Sequence, residues 1–175
     1  MRMPQVTVMP FAGKSPVIAD DVLLASGAQL IGDLEIGPAS SVWFNAVIRA
    51  DVHYIRIGTR SNIQDNSTVH VTSGGAPCII GDDVTVGHNV VLHACTIEDF
   101  CLIGMGAIIL DEAVIGRECL VGAGALVTAG KVFPPRSMIL GSPARAVRTL
   151  TEAEIAHLHA SSVHYVRTAQ RYSQG

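Results

Sequence analysis

Aliphatic residues recur every six positions along most of this chain of 175 residues. The phase shifts by three residues after Ile48, by a five-residue insertion at residues 73–77, and by one missing residue after Leu92. A β-sandwich of short strands would instead show turns every ~8–12 residues and alternation of period two. The period of six predicts a solenoid in which each unit is a short strand plus a bend, and three units close one triangular coil. The residues that open the units are Ile18, Leu24, Leu30, Ile36, Val42, Ile48, Ile57, Ile63, Val69, Ile80, Val86, Leu92, Ile97, Ile103, Ile109, Ile115, Val121, Val127, Phe133 and Ile139.

A solenoid of this kind assigns an inside and an outside to each residue. Openers point inward and stack between coils, and the residue after each opener points outward, because side chains alternate along a strand. Glycine often follows the opener, as at Gly58 and Gly104, where we expect it to relieve backbone strain at a bend. Cys101 and Cys119 share one place in the repeat, one coil apart, and should stack inside as small apolar groups.

The two ends of a solenoid must be capped. The sequence predicts one domain, 1–175, with an irregular N-terminal cap at 1–16, coils at about 17–141 and a helix at about 151–172. Thr151 and Glu154 have the spacing of a capping box at the start of that helix. The predicted helix has an apolar stripe, formed by residues at helical spacing, that should pack along the outside of the coils. The stripe comprises Ile155, Leu158, Ser162, Val163 and Val166.

The composition fits an aliphatic solenoid and argues against several classes of partner. Hydrophobic residues make up 49% of the chain and charged residues 15%, so a large core with few buried charges is possible. The net charge of −3 gives no basis for binding nucleic acid or a membrane surface. No apolar stretch near the N-terminus is long enough for a signal peptide or membrane anchor, so a cytoplasmic protein is expected. The four cysteines lack CxxC spacing and should be buried and reduced.

Three histidines fall at related places in the repeat. His70 and His93 each follow an opener directly, and those openers are three units apart. The two rings should therefore be outward-pointing neighbours on successive coils, about 4.8 Å apart, with Arg49 one coil earlier. His88 comes two residues after its opener, on an adjacent face near a bend, and Asp65 has the same place one coil before it.

The spacing of these histidines suits a metal ion that is shared between two chains. Two imidazoles at that separation can bind one ion, with Zn–N bonds of about 2.0–2.1 Å. The same face offers no third ligand, because Leu110 occupies the next place in the column. In a closed threefold assembly, the side that carries His88 faces the side of a neighbouring chain that carries His70 and His93. The sequence therefore predicts a homotrimer with three sites, and three histidines with open positions are typical of a catalytic zinc.

Six segments also carry a family resemblance: VWFNAVIRADV (42–52), IGTRSNIQDNSTVHV (57–71), VGHNVVLHAC (86–95), LIGMGAIIL (102–110), VGAGALV (121–127) and SPARAVRTLTEAE (142–154). Together they resemble the gamma-class carbonic anhydrases. The resemblance implies a left-handed parallel β-helix, a homotrimer, and a metal ion held by His70, His88 and His93. Zinc is the usual ion, but Fe²⁺ or Co²⁺ can occupy such sites and imidazole ligands do not separate them. Arg49 and Asp51 match a pair that forms salt bridges at the subunit interface.

The same resemblance implies roles for residues around the metal and a reaction. Gln64 and Asp65 match residues that hydrogen-bond or orient the metal-bound water. Asn62 is similar to a residue near the bicarbonate pocket, and Tyr165 is similar to a tyrosine of that pocket. The implied reaction is the reversible hydration of CO₂ to bicarbonate by metal-bound hydroxide.

The sequence departs from some members of the family in the path for the proton. Those members carry an acidic loop whose glutamate shuttles the proton to solvent. Here residues 52–54 and 72–77 hold no carboxylate, and only His53 could substitute, so low turnover is expected. Two other functions stay open: an acyl-CoA thioesterase or acyltransferase-like hexapeptide protein, with one histidine as base, and a metal-binding trimer with little activity.

Overall fold

The computed structural model describes residues 1–174, with side chains described as far as Tyr172. This part of the chain forms twenty strands and one helix, α1, at Glu152–Gln174. In chain order the strands are β1 Thr7–Met9, β2 Val17–Ile18, β3 Leu23–Leu24, β4 Gln29–Ile36, β5 Ser41–Val42, β6 Val47–Ile57, β7 Asn62–Ile63, β8 Thr68–His70, β9 Cys78–Ile80, β10 Thr85–Val86, β11 Val91–His93, β12 Thr96–Ile97, β13 Leu102–Ile103, β14 Ile108–Ile109, β15 Val114–Ile115, β16 Leu120–Val121, β17 Leu126–Val127, β18 Val132–Phe133, β19 Ser137–Gly141 and β20 Ala144–Thr149.

The strands stack into three faces that run the length of the molecule. Nearly all neighbours pair in parallel, one coil apart, as Val86 of β10 does with Ile103 of β13. β4 and β6 are long enough to turn a corner, so each contributes to both the first and the second face. The first face contains β1, β4, β6, β8, β11, β14 and β17, the second β2, β4, β6, β9, β12, β15 and β18, and the third β3, β5, β7, β10, β13, β16, β19 and β20. The predicted parallel β-helix with a C-terminal helix is confirmed.

The openers of the six-residue units form the core. Ile103, Ile109 and Ile115 are fully buried and lie on the three different faces of one coil. Cys101 and Cys119 are buried with them, and all four cysteines are free and buried as predicted. Because nearly every coil presents an aliphatic triangle to the next, the core continues through the whole solenoid, and Phe133 is its one aromatic opener among the described residues.

The shift of three residues after Ile48 has a local cause in β6. Between the paired positions of the two strands, β4 has the single residue Asp33, whereas β6 has residues 51–54. These extra residues form a protrusion on which Val52 and Tyr54 are exposed. The second interruption, residues 73–77, lies in the connection between β8 and β9. Both interruptions leave the inward stacking of the openers intact.

Glycines that follow openers are required by the close approach of neighbouring coils. A Cβ atom on Gly104 would lie 2.5 Å from the backbone nitrogen of Ala123, and one on Gly58 would lie 2.7 Å from the carbonyl group of Gly81. The left-handed backbone conformations occur instead at corner residues such as Asn89, with φ of 56°. The prediction that Gly58 and Gly104 relieve strain at a bend is therefore wrong, since the reason for glycine is lack of room.

The two ends of the solenoid contain strands that the repeat does not reveal. Residues 1–16 were expected to be irregular, but β1 pairs in parallel with β4 and starts the first face. At the other end, β19 contains the last opener, Ile139, and forms an antiparallel hairpin with β20. β1 and β20 do not follow the six-residue spacing, because each is paired on only one side and has no coil beyond it.

Helix α1 returns along the outside of the third face. The backbone N–H of Thr151 donates to the carboxylate of Glu154 at 2.8 Å, which confirms the capping box. Ile155 and Leu158 pack against the coils as predicted. Val163 is 43% exposed, so the prediction that it packs against the coils is wrong. Tyr165 takes part in the packing instead, against the ring of Trp43. No helix in residues 1–174 combines the length and the apolar character that crossing a membrane would require.

Candidate metal centre

Two of the three histidines stand side by side on the first face. His70 ends β8 and His93 ends β11, and the two residues pair in register. Arg49 of β6 pairs with His70 one coil earlier. Val69 and Leu92, which precede the histidines, are fully buried, so both rings point outward. The structure thus forms the column that the repeat predicts.

The nitrogen atoms of these two rings are placed to bind one cation. Nδ1 of His70 lies 3.1 Å from Nε2 of His93. Two nitrogens bound to one zinc ion at tetrahedral angles would lie about 3.4 Å apart, so a small adjustment would admit the ion. The other nitrogens are occupied: Nε2 of His70 lies 3.0 Å from Asp51 and Nδ1 of His93 lies 3.0 Å from Asp111. Carboxylates only accept, so in neutral rings the two facing nitrogens carry lone pairs, which a proton or metal ion between them would stabilise.

The electrostatics of the two aspartates favour this arrangement. Burial acts to raise the pKa of Asp51, but hydrogen bonds from His70 and Arg49 outweigh it and hold the pKa below 3.8. A hydrogen bond from the Thr72 hydroxyl is the main cause that lowers the pKa of Asp111, and the bond from His93 adds to it. Both carboxylates are therefore ionised at neutral pH and can fix the tautomer of a metal-binding imidazole.

The third histidine lies at a corner next to the third face. His88 follows β10 by two residues and is followed by Asn89, whose left-handed φ of 56° turns the chain. Asparagine tolerates that conformation better than most residues. Nδ1 of His88 lies 2.8 Å from Asp65, which occupies the equivalent corner one coil earlier. This pairing leaves Nε2 of His88 as the nitrogen that can bind a metal ion.

A pocket of about 230 Å³ lies beside His88, between the third face and helix α1. Gln64 and Tyr165 line this pocket. Nε2 of Gln64 donates to Oδ1 of Asn62 at 3.0 Å, so the two amides act as a pair. Burial, with a smaller contribution from the charge of Asp65, raises the pKa of Tyr165 above its usual value of 10. Its hydroxyl is therefore protonated at neutral pH and available as a hydrogen-bond donor.

The structure places the predicted site residues in two groups on different parts of one chain. The first group is on the first face and contains Arg49, Asp51, His70 and His93. The second is at the corner beside α1 and contains Asn62, Gln64, Asp65, His88 and Tyr165. In residues 1–172 of a single chain, no three His, Cys, Asp or Glu side chains gather closely enough to hold one ion.

Four residues around these groups were not predicted from the sequence. Thr72 and Asp111 support His93, with 2.5 Å between the Thr72 hydroxyl and the carboxylate. Thr85 and Ser161 contact each other beside the pocket at 3.0 Å. A search for a carboxylate near each histidine could have found Asp111, since metal-binding imidazoles usually donate their second N–H to one. The threonines and Ser161 give no such signal.

Comparison with known proteins agrees with this fold. The family model for bacterial transferase hexapeptide (six repeats) matches residues 94–129. A crystal structure of a Bacillus cereus protein, provisionally named an acetyltransferase, superimposes with a TM-score of 0.95 at 43% identity and covers 97% of this chain and 98% of that one. The solenoid is therefore of the hexapeptide-repeat class.

Curated relatives narrow the class to one family. A carbonic anhydrase of Geobacillus kaustophilus is 47% identical over 165 residues, which is 94% of this chain and 90% of that protein. The mitochondrial gamma carbonic anhydrase 2 of Arabidopsis thaliana is 43% identical over 169 residues, 94% of this chain, and this chain spans 61% of its length. This chain belongs to the gamma-class carbonic anhydrase family.

Proposed function

We propose that this protein hydrates CO₂ reversibly to bicarbonate, as a gamma-type carbonic anhydrase whose metal site is shared between the subunits of a homotrimer. The observation that carries the proposal is common to the three histidines. His70, His93 and His88 each have one ring nitrogen held by an aspartate and the other left for an ion. An ordinary surface histidine has no need of such orientation, whereas metal-binding imidazoles usually have it.

The residues fit a zinc ion, which is the proposed metal, and they also fit the alternatives Fe²⁺ and Co²⁺. Neutral imidazole nitrogen is a ligand for all three ions, and three such ligands leave positions open for water and substrate. Zinc held there would supply a bound water more acidic than free water, which is the chemistry that carbonic anhydrases use. The trimer is proposed because the two groups of residues lie on different faces, so one ion can meet both only between two chains.

Each remaining site residue has a task that its contacts support. Arg49 contacts Asp51 and so supports the carboxylate that orients His70. Asp65 holds the ring of His88. Gln64 and Tyr165 supply an amide and a hydroxyl to a pocket of about 230 Å³, which has room for CO₂, bicarbonate and several water molecules.

The proposal includes a cytoplasmic location and slow turnover. His53 is half-buried on the protrusion of β6, and its Nδ1 accepts the backbone N–H of Tyr54 at 2.9 Å, so Nε2 is the ring nitrogen left to exchange a proton. It is the group that could pass protons to buffer, in place of a carboxylate. A His53→Ala variant should therefore lower turnover in dilute buffer, and concentrated imidazole buffer should restore it.

A stopped-flow CO₂ hydration assay on protein of measured zinc content tests the function. We expect hydration well above the buffer rate, and a loss of at least about a hundredfold together with zinc in His88→Ala. His157→Ala, a change of an exposed histidine on α1, should leave both unchanged. Zinc-loaded protein that hydrates CO₂ no faster than buffer would refute the proposal.

Acyl transfer or acyl-CoA hydrolysis is the second candidate, and one observation favours it: the Bacillus cereus protein of nearly identical fold is provisionally named an acetyltransferase. An acyltransferase of this fold needs one histidine as base and no metal ion. Metal analysis of the purified protein separates a metal-free acyltransferase from the proposed carbonic anhydrase, which needs a bound ion. An acyl-CoA hydrolysis assay on the same sample then separates a metal-dependent thioesterase from a carbonic anhydrase and from an inactive metal-binding trimer.

A further inference from the structure

A chain of hydrogen bonds runs from helix α1 to the pocket beside His88. The hydroxyl of Ser161 on α1 lies 3.0 Å from the hydroxyl of Thr85 on β10. The amide nitrogen of Asn62 donates to the Thr85 hydroxyl at 3.2 Å, and its amide oxygen accepts from Nε2 of Gln64 at 3.0 Å. Asn62, Gln64 and Thr85 are each at least 96% buried, so these contacts are shielded from water.

The direction of this chain follows from one backbone carbonyl. The side-chain nitrogen of Asn62 lies 3.4 Å from the carbonyl oxygen of Val84, which can only accept. Turning the Asn62 amide around would place two oxygens against each other there. Its nitrogen must therefore face Val84 and Thr85, and its oxygen must face Gln64. Gln64 in turn has to offer its nitrogen to Asn62.

The consequence is that Gln64 presents its oxygen to the pocket. Among the described residues no buried side-chain nitrogen or oxygen lacks a hydrogen-bond partner. Oε1 of Gln64 accepts no hydrogen bond from those residues, so this atom must be open to the pocket that Gln64 lines with His88. The pocket thus offers an acceptor at that point, which suits a hydroxyl group and disfavours a bare anionic oxygen.

We propose that Thr85 and Ser161 are positioning residues, which act through Asn62 to keep the oxygen of Gln64 directed at the substrate. The inference rests on the proposed function, because the species to be oriented there is the water that attacks CO₂ or the hydroxyl group of bicarbonate. The Thr85 hydroxyl is one of two acceptors for the Asn62 nitrogen, and Ser161 fixes the orientation of that hydroxyl. Helix α1 therefore contributes to the site as well as covering the coils.

The first test needs no metal ion. The metal-free protein is labelled with ¹⁵N at its five glutamine side chains, and the Gln64 signal is assigned with Gln64→Ala. Exchange of the Gln64 side-chain amide with solvent should be at least about tenfold faster in Thr85→Val than in wild type, and about threefold faster in Ser161→Ala. Thr85→Ser should restore protection. Thr96→Val, the same change at the same place in β12, should have no effect.

Equal protection of the Gln64 amide in wild type, Thr85→Val and Ser161→Ala would overturn the inference. If Thr85→Val does not fold, Ser161→Ala decides alone, because Ser161 is only half-buried and its hydroxyl can be removed without a cavity in the coils.

The second test asks whether Thr85 acts through Gln64 during turnover. Thr85→Val should lower kcat for CO₂ hydration about tenfold with little change of KM, and Thr85→Ser should recover most of the loss. In the Gln64→Ala background the same change should have no further effect. An equal loss in both backgrounds would contradict a positioning role.

The two proposals fail in different ways. Wild-type protein that hydrates no CO₂ but shows the expected exchange pattern refutes the proposed function and leaves Gln64 positioned for another substrate. Active wild-type protein without that exchange pattern refutes the positioning inference alone.

Discussion

At the scale of single residues, the candidate site depends on which nitrogen of each histidine is already occupied. Asp65 is predicted from the repeat, because it lies one coil before His88 at the same offset. Asp111 is not predicted from the repeat. One residue is missing from the repeat after Leu92, so Leu110, and not Asp111, lies beside His93 in the column. Asp111 then falls at the next corner, where the direction of a side chain cannot be inferred from the period of the strands.

Asp111 provides the sharpest prediction at this scale. Asp111→Asn should lower the affinity for zinc about 10–100-fold, because the amide no longer fixes the tautomer of His93 as a carboxylate does. Competition with a chelator of known affinity measures the change. Glu112→Gln removes the same charge from the neighbouring, exposed residue and serves as the control. Equal zinc affinity in both variants would show that Asp111 does not orient His93.

At the scale of elements, the strands follow from the sequence far better than the ends do. Each six-residue unit begins with an aliphatic opener, which marks the strand of that unit. Each face of each coil contains about one such unit, so the pattern recurs through the whole solenoid. β1 and β20 carry no such signal, since they pair on one side only. Helix α1 is predicted from its capping box. The exposure of Val163 shows that helical spacing alone does not identify the buried face of α1, because that face depends on where the helix contacts the coils.

The burial of the openers predicts a contrast between two identical substitutions. Val121 is fully buried, whereas Val132 is 68% exposed. Val121→Ala should reduce the free energy of unfolding by about 2–3 kcal/mol through lost burial and a residual cavity, and Val132→Ala by less than about 0.5 kcal/mol. Urea denaturation followed by circular dichroism measures both. Similar losses at the two positions would argue against the solenoid core described here.

The docking of α1 predicts a pH dependence. Burial acts to raise the pKa of Glu118, but its hydrogen bonds from Arg136 and from His159 of α1 prevail and hold the pKa below 4.5. The stability that the ionised Glu118 provides is therefore complete above about pH 4.5 and is lost as the pH falls through the lower value of the folded protein.

Urea midpoints of wild type and Glu118→Gln, measured from pH 7 to pH 3, test this dependence. Wild type should be the more stable protein above pH 4.5, and the difference should shrink steadily below it. A difference that stays constant down to pH 3 would mean that the pKa of Glu118 is the same in the folded and unfolded protein.

At the scale of the whole molecule, winding brings residues about one coil apart into contact. His70 and His93 meet although 22 residues separate them, and one chain still leaves His88 on another part of the surface. The sequence alone predicts this division, since the offsets of the histidines within their units differ. The contacts that link α1 to the pocket were not predictable, because they depend on where the helix lies against the third face.

Subunit complementation tests the shared site most directly. His88→Ala chains and chains with both His70→Ala and His93→Ala are unfolded together in equal amounts, refolded, and analysed for trimers, zinc and CO₂ hydration. Either variant alone should bind no zinc at this site. Random mixing should restore one of three sites in each mixed trimer, which gives about a quarter of the zinc and activity of wild type. Mixed trimers that remain free of zinc and inactive would contradict a site formed by two chains.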